Sequence, residues 1–281
     1  MQSTRQITIG HTPDADDAFM FYALTVGKLT SPNFAIEHTL TSIQELNQAA
    51  RIGTYEMSAI SFAAYPDVAD RYYLMPCGAC MGLKRGPILV AKRKMDPNDL
   101  SKIKVAIPGK LTTAYLTLKI FEPNVNVIEK PFNQILQSVI DEEVDAGLLI
   151  NESQLTFQEL GLEKIVDLGQ WWFEETGLPL PLGGNVIRKD LGATVIAEMT
   201  GLFKDSIKYA LSNKEEAVQY AKRYAANMTD EQASKFIGMY VNDLTIDYGE
   251  TGRTALKILF DKAHKSGALT RSASIQFALT P

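Results

Sequence analysis

Short segments of the chain carry side chains whose types and spacing could do chemistry. The first is Pro108-Gly109-Lys110-Leu111-Thr112-Thr113-Ala114-Tyr115, which follows the strand-like run Lys104–Ile107 and leads into an apolar-periodic stretch. A strand, a glycine turn and a helix start leave backbone N–H groups without intrahelical partners, add two threonine hydroxyls and point the positive end of a helix dipole outward. Thr112, Thr113 and Ala114 are therefore a candidate seat for a carboxylate or phosphate, with plain N-capping by Thr112 as the competing reading. The GxxxxGK-S/T spacing of a triphosphate loop is missing, which argues against nucleoside triphosphates.

A second segment, His11-Thr12-Pro13-Asp14-Ala15-Asp16-Asp17, closes one strand-like run and enters a helical one. Its aspartates suit either Mg2+ ligation or the acidic first turn that a helix dipole favours. His11 and Asp17 are candidates to contact a polar ligand. In Leu149-Ile150-Asn151-Glu152-Ser153, Asn151 exchanges hydrogen bonds but does not titrate, so it cannot be a general base, whereas Glu152 can. Ser61 closes the run Met57–Ser61 and suits carboxylate binding or N-capping. No Ser-His-Asp spacing is identifiable. Cys77 and Cys80, as CGAC after the break Met75-Pro76, lack the helix start of a redox motif and the further soft ligands of a zinc site, which leaves them as small buried hydrophobes. Trp171 and Trp172 either stack on an aromatic ligand or pack beside a hinge. His38, in a strand, and His264, on a late helix, read as structural or solvated.

Positioning these segments requires an alternating chain. Strand-like runs at Gln6–Ile9, Phe34–Leu40, Met57–Ser61, Ile88–Ala91, Lys104–Ile107, Val125–Lys130, Ala146–Ile150 and Lys164–Asp167 alternate with helical periods such as Phe19, Tyr22, Ala23, Val26 and Ile135, Leu136, Val139, Ile140. This predicts βαβ units and mainly parallel sheets. After Thr194 the pattern is helical, with apolar faces at Ile196, Met199, Phe203, Ile207, Leu211, then Val218, Ala221, Ala225, then Ala233, Phe236, Ile237, Tyr240, then Ala255, Leu256, Leu259, Ala263. Ser212 with Glu215, and Thr229 with Gln232, have capping-box spacing. The charged, proline-bearing Lys92–Leu100 and the extended Leu178–Gly184 read as crossings between lobes. The expected fold is thus α/β and two-lobed, with a helical C-terminal part: a larger lobe of residues 1–91 plus 185–281, an inserted lobe of residues 92–184, and a ligand cleft between them. No internal repeat is visible.

The 281 residues carry 28 Lys and Arg against 33 Asp and Glu, a net charge of −5, with 46% apolar and 22% charged residues. A chain this long buries roughly 70–75% of its unfolded surface, and this composition excludes disorder and low-complexity architectures. Mild acidity without a basic block gives no footprint for nucleic acid or anionic lipid. No apolar run approaches the ~20 residues of a membrane span, and the amino-terminal MQSTRQITIG lacks the apolar core of a signal peptide, so a cytoplasmic location is expected. Oligomeric state is not indicated.

Taken together, HTPDADDAFMFYAL, AISFAAYPDVADRY, AIPGKLTTAYL, DAGLLINESQLTF, IVDLGQWW and EETGLPLPLGGNVIRKDLG resemble the 1,4-dihydroxy-6-naphthoate synthase family of the futalosine route to menaquinone, with its solute-binding-like relatives. The TTAY and TGLPLPLG blocks are specific. The resemblance implies a type II periplasmic-binding-protein fold and a lyase acting on a small aromatic carboxylate substrate. That reaction converts cyclic dehypoxanthinyl futalosine to 1,4-dihydroxy-6-naphthoate by carbon–carbon cleavage with release of a three-carbon fragment, and no metal or organic cofactor is implied. Position by position, the family's threonine matches Thr112 or Thr113, its strand-end serine Ser61 and its first-helix aspartate Asp17. Where the family has the histidine of an I-H-E motif, this chain has Asn151 before Glu152. An engineered replacement, another base such as His11 or Glu152, and loss of catalysis are the open explanations. A non-catalytic small-carboxylate-binding protein and chorismate dehydratase, whose blocks match less well, are the alternatives.

Overall fold

The computed structural model describes residues 5–224, 228–271 and 274–279. In chain order, β1 (Arg5–His11), α1 (Ala15–Thr25), β2 (Phe34–Leu40), α2 (Ile43–Ile52) and β3 (Met57–Ser61) are followed by the short α3 (Tyr65–Val68), β4 (Tyr72–Leu74), β5 (Cys80–Gly82) and β6 (Ile88–Ala91). Next come β7 (Lys104–Ile107), α4 (Thr113–Phe121), β8 (Asn126–Glu129), α5 (Phe132–Ile140), β9 (Ala146–Leu149), β10 (Glu163–Asp167), α6 (Leu168–Thr176) and β11 (Leu180–Arg188). Helices α7 (Ala193–Ser212), α8 (Lys214–Ala221), α9 (Asp230–Tyr240), α10 (Asp243–Ile246) and α11 (Gly249–Lys265) complete the chain.

Two compact units result. The first takes the chain up to Met81, Gly183–Gly249 and the tail around Phe277; the second takes Gly82–Leu182 and the stretch from Glu250 through α11. The first sheet is six-stranded in the order β2-β1-β3-β11-β4, with β5 on β11, and the second is five-stranded in the order β10-β6-β9-β7-β8. Strand β1 runs parallel to β2, from Arg5 opposite Phe34 to His11 opposite Leu40, and parallel to β3. In the second sheet β7 is parallel to β8 and β9. The remaining pairs depart from the expected parallel arrangement: β11 is antiparallel to β3 and β4, and β6 to β9 and β10. The sheets are mixed because β11 and β6 pair with β3 and β9 without the helical crossover that enforces parallel pairing. A continuously buried strand such as Ile88–Ala91 reads the same in either direction.

The first crossing also differs from the sequence expectation. The chain leaves the first unit at Met81–Gly82, not within Lys92–Leu100, and α11 belongs with the second unit. Strand β6 is buried throughout and needs β9 and β10 on its two edges, while Lys92–Leu100 is a charged surface loop that ends in the 3-10 turn Pro97–Lys102 of the same unit. A recurrence invisible in the sequence also emerges. The runs β1-α1-β2-α2-β3 and β7-α4-β8-α5-β9 have the same topology, each with its first strand in the middle of the trio and an antiparallel strand beside its third.

In the first unit α1 is buried almost all round and is covered by α7, α8 and α9. Phe21 stacks on Phe203 with ring centroids 4.5 Å apart, and the Ser206 hydroxyl donates to the Met20 carbonyl at 2.8 Å. The late helices therefore enclose a helix of their own unit. In the second unit one sheet face, with Leu89, Val105, Ile107 and Leu148, packs on Ala114 and Leu118 of α4 and Leu168 of α6. The other, with Val90, Ala106 and Leu149, packs on Ile135 and Val139 of α5. Trp172 is fully buried and donates to the Pro179 carbonyl at 3.2 Å, and Trp171 sits edge-on to Phe121, so both tryptophans are packing groups of this unit.

Thr229 and Gln232 form the expected capping box of α9. Ser212 does not cap: α7 continues through it, and Asn213 stands at the start of α8. Ala225 lies outside the described residues. Gly78 shows why its position rejects a side chain, since φ is +76° and an added Cβ would lie 2.3 Å from Phe203. Phe203→Ala should cost about 3–5 kcal/mol through the cavity it leaves, read as a lower urea midpoint at unchanged slope. Gly78→Ala should also lower the midpoint by strain, and Phe203→Ala should partly relieve it in the double variant.

Candidate functional site

In an open α/β sheet, a strand whose onward connection goes to one side while a later strand joins on the other leaves an opening at the strands' carboxyl ends. In the first unit this opening lies at the ends of β1 and β3, and in the second at the ends of β7 and β9. Every sequence-predicted site residue lies at one of them. His11, Asp17 and Ser61 belong to the first; Thr112, Thr113, Ala114, Asn151 and Glu152 to the second. All are buried except Glu152, which is half-buried.

In the first unit Asp17 is turned inward from the first turn of α1. Its Oδ2 accepts the Thr12 N–H at 2.8 Å and the Thr12 hydroxyl at 2.9 Å. Burial raises its pKa and the two Thr12 donors oppose the rise. His11 Nδ1 lies 3.0 Å from the Thr12 carbonyl, so Nδ1 carries the proton and Nε2 is left to accept from His38 Nδ1 at 3.2 Å. Burial lowers both imidazoles to about 4, with the proximity of His11 adding to the effect on His38. The pair is neutral at neutral pH, and His38 serves as the support of His11.

Ser61 is clamped by a residue the sequence reading missed. Asn47 donates from Nδ2 to Ser61 Oγ at 3.0 Å and accepts the Ser61 N–H on Oδ1 at 2.8 Å. The Ser61 side chain makes no helix cap. The available signal was a polar residue between Leu46 and Ala50 on the buried face of α2. Cys80 also departs from expectation: it is half-buried, and its thiol donates to Asp16 Oδ2 at 3.3 Å. Burial and the charge of Asp17 push the Asp16 carboxyl up to about 6. Cys77 is sealed, with burial pushing its thiol up to about 12. Among the described residues no three His, Cys, Asp or Glu side chains are grouped so as to hold a metal ion.

In the second unit Thr112 is the N-cap of α4. Its Oγ1 accepts the Tyr115 N–H at 3.2 Å while its proton goes to the Gly109 carbonyl at 2.7 Å. The capping reading is therefore realised, and the hydroxyl has no proton left for an anion. The N–H groups of Thr113 and Ala114 precede the first helical bond, from Leu116 to Thr112, and so stand at the positive end of the helix dipole. Asn151 follows β9 in an extended conformation and opens the 3-10 turn Glu152–Leu155. Its Oδ1 accepts from the Ser153 hydroxyl, and Gln154 ties the turn back to the Leu149 carbonyl at 3.0 Å. A separate recess of the first unit, lined by Gly53, Arg71, Arg188 and Asp190, lies at the opposite strand ends. There Arg188 is already bound to Glu56 and Asp190.

Among the described residues no helix is long and apolar enough to cross a membrane. A Thermus thermophilus protein named 1,4-dihydroxy-6-naphtoate synthase is 38% identical over 261 residues, 93% of this chain and 95% of that one. A crystal structure of an Archaeoglobus fulgidus protein is 43% identical, covering 96% of this chain and 100% of its own, with a TM-score of 0.91. A Candida albicans protein described as having the generic periplasmic binding protein fold is 13% identical, with a TM-score of 0.69 over 96% of this chain and 92% of that one. That likeness identifies the fold alone, as periplasmic-binding-protein-like, α/β and two-lobed. Residues 7–265 match the family described as Menaquinone biosynthesis. With these matches running over most of its length, the chain belongs to the menaquinone-biosynthesis family.

Proposed function

We propose that the chain is a carbon–carbon lyase that converts cyclic dehypoxanthinyl futalosine to the aromatic carboxylate 1,4-dihydroxy-6-naphthoate, releasing a three-carbon fragment, without a cofactor and in the cytoplasm. The observation that carries this reading is the start of α4 at the carboxyl end of β7, where Thr112 spends its hydroxyl on the helix end. The helix start so fixed turns the positive end of the helix dipole and the Ala114 N–H toward a carboxylate. Thr112 positions; Thr113 and Ala114 bind.

The remaining contacts follow from which atoms are already engaged. Asn47 donates to Ser61 Oγ, which leaves the Ser61 proton for an oxygen of the substrate. Asp17 uses Oδ2 on Thr12 and offers Oδ1 to a substrate hydroxyl. Asn151 accepts on Oδ1 and can donate from its amide nitrogen. His11 is a poor base, since both ring nitrogens are committed and burial holds it at about 4. Glu152 supplies a carboxylate next to Asn151. A non-catalytic carboxylate binder is the second reading, favoured by the absence of a titrating proton on Asn151.

Incubation with cyclic dehypoxanthinyl futalosine should yield naphthoate by mass spectrometry. Saturable thermal stabilisation by the substrate without product, in the protein and in an Asn151→His variant alike, would establish the binder instead. Replacing both Thr112 and Thr113 by valine should raise KM at least about tenfold, as the anion seat frays with loss of its cap; an unchanged KM would misplace the carboxylate.

The histidine pair also makes stability pH-dependent. Both imidazoles have folded pKa values below the ordinary 6.5. Their contribution is therefore fully present above pH 6.5 and is lost as pH falls toward 4. Asp16, raised to about 6, acts in the opposite sense, its cost easing as pH falls through that value. The Tm should fall more steeply between pH 6.5 and 4 in the unmodified protein than in a His11→Asn, His38→Asn double variant, as followed by circular dichroism.

A further inference from the structure

The switch point of the first unit holds one carboxylate that the contacts above do not use. Asp16 sits in the first turn of α1, immediately beyond the carboxyl end of β1. Its neighbour Asp17 is buried and spends an oxygen on Thr12, whereas Asp16 is only half-buried and keeps contact with solvent. The Cys80 thiol donates to the Asp16 carboxylate at 3.3 Å. The thiol is brought there by β5, which is anchored on β11. The preceding loop is tied down on its other side, where the Gly78 N–H donates to the Thr245 carbonyl at 2.7 Å and the Thr245 hydroxyl to the Ala79 carbonyl at 2.8 Å. A thiol is a weak donor, so it orients the carboxylate without neutralising it.

We propose that Asp16 is the group that accepts the substrate proton, with Cys80 as the positioning residue that holds its carboxylate. This rests on the reaction assigned under Proposed function and names the base that Asn151 and His11 cannot be. In the step, an Asp16 oxygen takes hydrogen from a substrate C–H bond as a proton. Asp16 becomes the neutral acid. The electron pair left by the C–H bond forms a new carbon–carbon double bond as the carbon–carbon bond to the three-carbon fragment breaks; the fragment leaves with that bond's electron pair and takes the proton back from Asp16, so no external oxidant or reductant is consumed.

The charged and titrating groups facing Asp16 are Asp17 on its own helix and Cys80 on β5, with Asp14 acting on the Cys80 thiol. Burial and the Asp17 charge outweigh the Cys80 thiol and the neighbouring backbone and place Asp16 at about 6. A base with a pKa near the working pH is both ionised and basic enough to act.

The test is the pH profile of kcat and kcat/KM with cyclic dehypoxanthinyl futalosine for the unmodified protein and for Asp16→Asn, Cys80→Ala, Cys80→Ser and Glu152→Gln variants. Asp16→Asn should lower kcat by about 10²–10⁴-fold with KM within a few-fold. Cys80→Ala removes a donor that favours the charged carboxylate, so it should move the acid limb to higher pH, and Cys80→Ser should restore it. Glu152→Gln should leave the limb in place. An Asp16→Asn variant with unaltered kcat and acid limb would overturn the assignment, as would loss of the limb in Glu152→Gln alone. If Asp16→Asn fails to fold by circular dichroism, the Cys80 pair decides, and an unmoved limb in Cys80→Ala overturns the proposal. Absence of product from the unmodified protein overturns the assigned reaction and the role of Asp16 with it. Product with unmoved limbs overturns the role of Asp16 alone.

Discussion

The recurring strand order sets the main constraint on this molecule. When the middle strand of a parallel trio sends its helix to one side and the third strand joins on the other, the loops at the carboxyl ends diverge. They leave backbone N–H groups and helix starts unopposed by the sheet's own hydrogen bonds. Both units are built this way, around β1 and around β7. The order concentrates polar groups at these ends, while the apolar faces of the same strands form the cores. In the second unit Val105 and Ile107 face one layer and Ala106 the other.

Polar groups collected at such ends must be satisfied once buried, because an unpaired buried donor or acceptor costs about 1–3 kcal/mol. The structure meets this with short local bonds. Thr12 holds Asp17, Asn47 holds Ser61, Thr112 bridges Gly109 and Tyr115, and Gln154 holds the turn after Asn151. Each partner uses part of a site residue and thereby selects which atom remains for a ligand.

The histidines and the Asp16–Cys80 pair illustrate how burial sorts titrating groups of one neighbourhood. The imidazoles are hydrogen-bonded to each other, with His11 stacked on Phe21 and bonded to the Thr12 carbonyl and His38 edge-on to Phe21, and are held neutral. The carboxyl of Asp16 is pushed toward neutrality from the other side of the scale. Desolvation disfavours the charged form in both cases, which lowers a base's pKa and raises an acid's. Burial therefore inverts their ordinary order, with Asp16 at about 6 and the imidazoles at about 4.

Much of this was legible in the sequence. The strand runs, the helical C-terminal part, the helix start after Gly109 and the motif blocks around Thr112 and Leu180 follow from local periodicity, turn chemistry and residue order, which act over a few residues. Pairing direction, the place of β6 and α11 in the second unit, and the topological recurrence did not, because a buried strand carries no signature of its neighbour's direction. Nor could spacing reveal that Asn47 clamps Ser61 or that Cys80 reaches Asp16, since those residues meet only when separate strands and helices pack. Local pattern determined which segments would become strands, helices and strand-end loops. Tertiary packing decided which atoms at those ends were spent and which remained for chemistry, because hydrogen-bond partnership and desolvation are properties of neighbours in space.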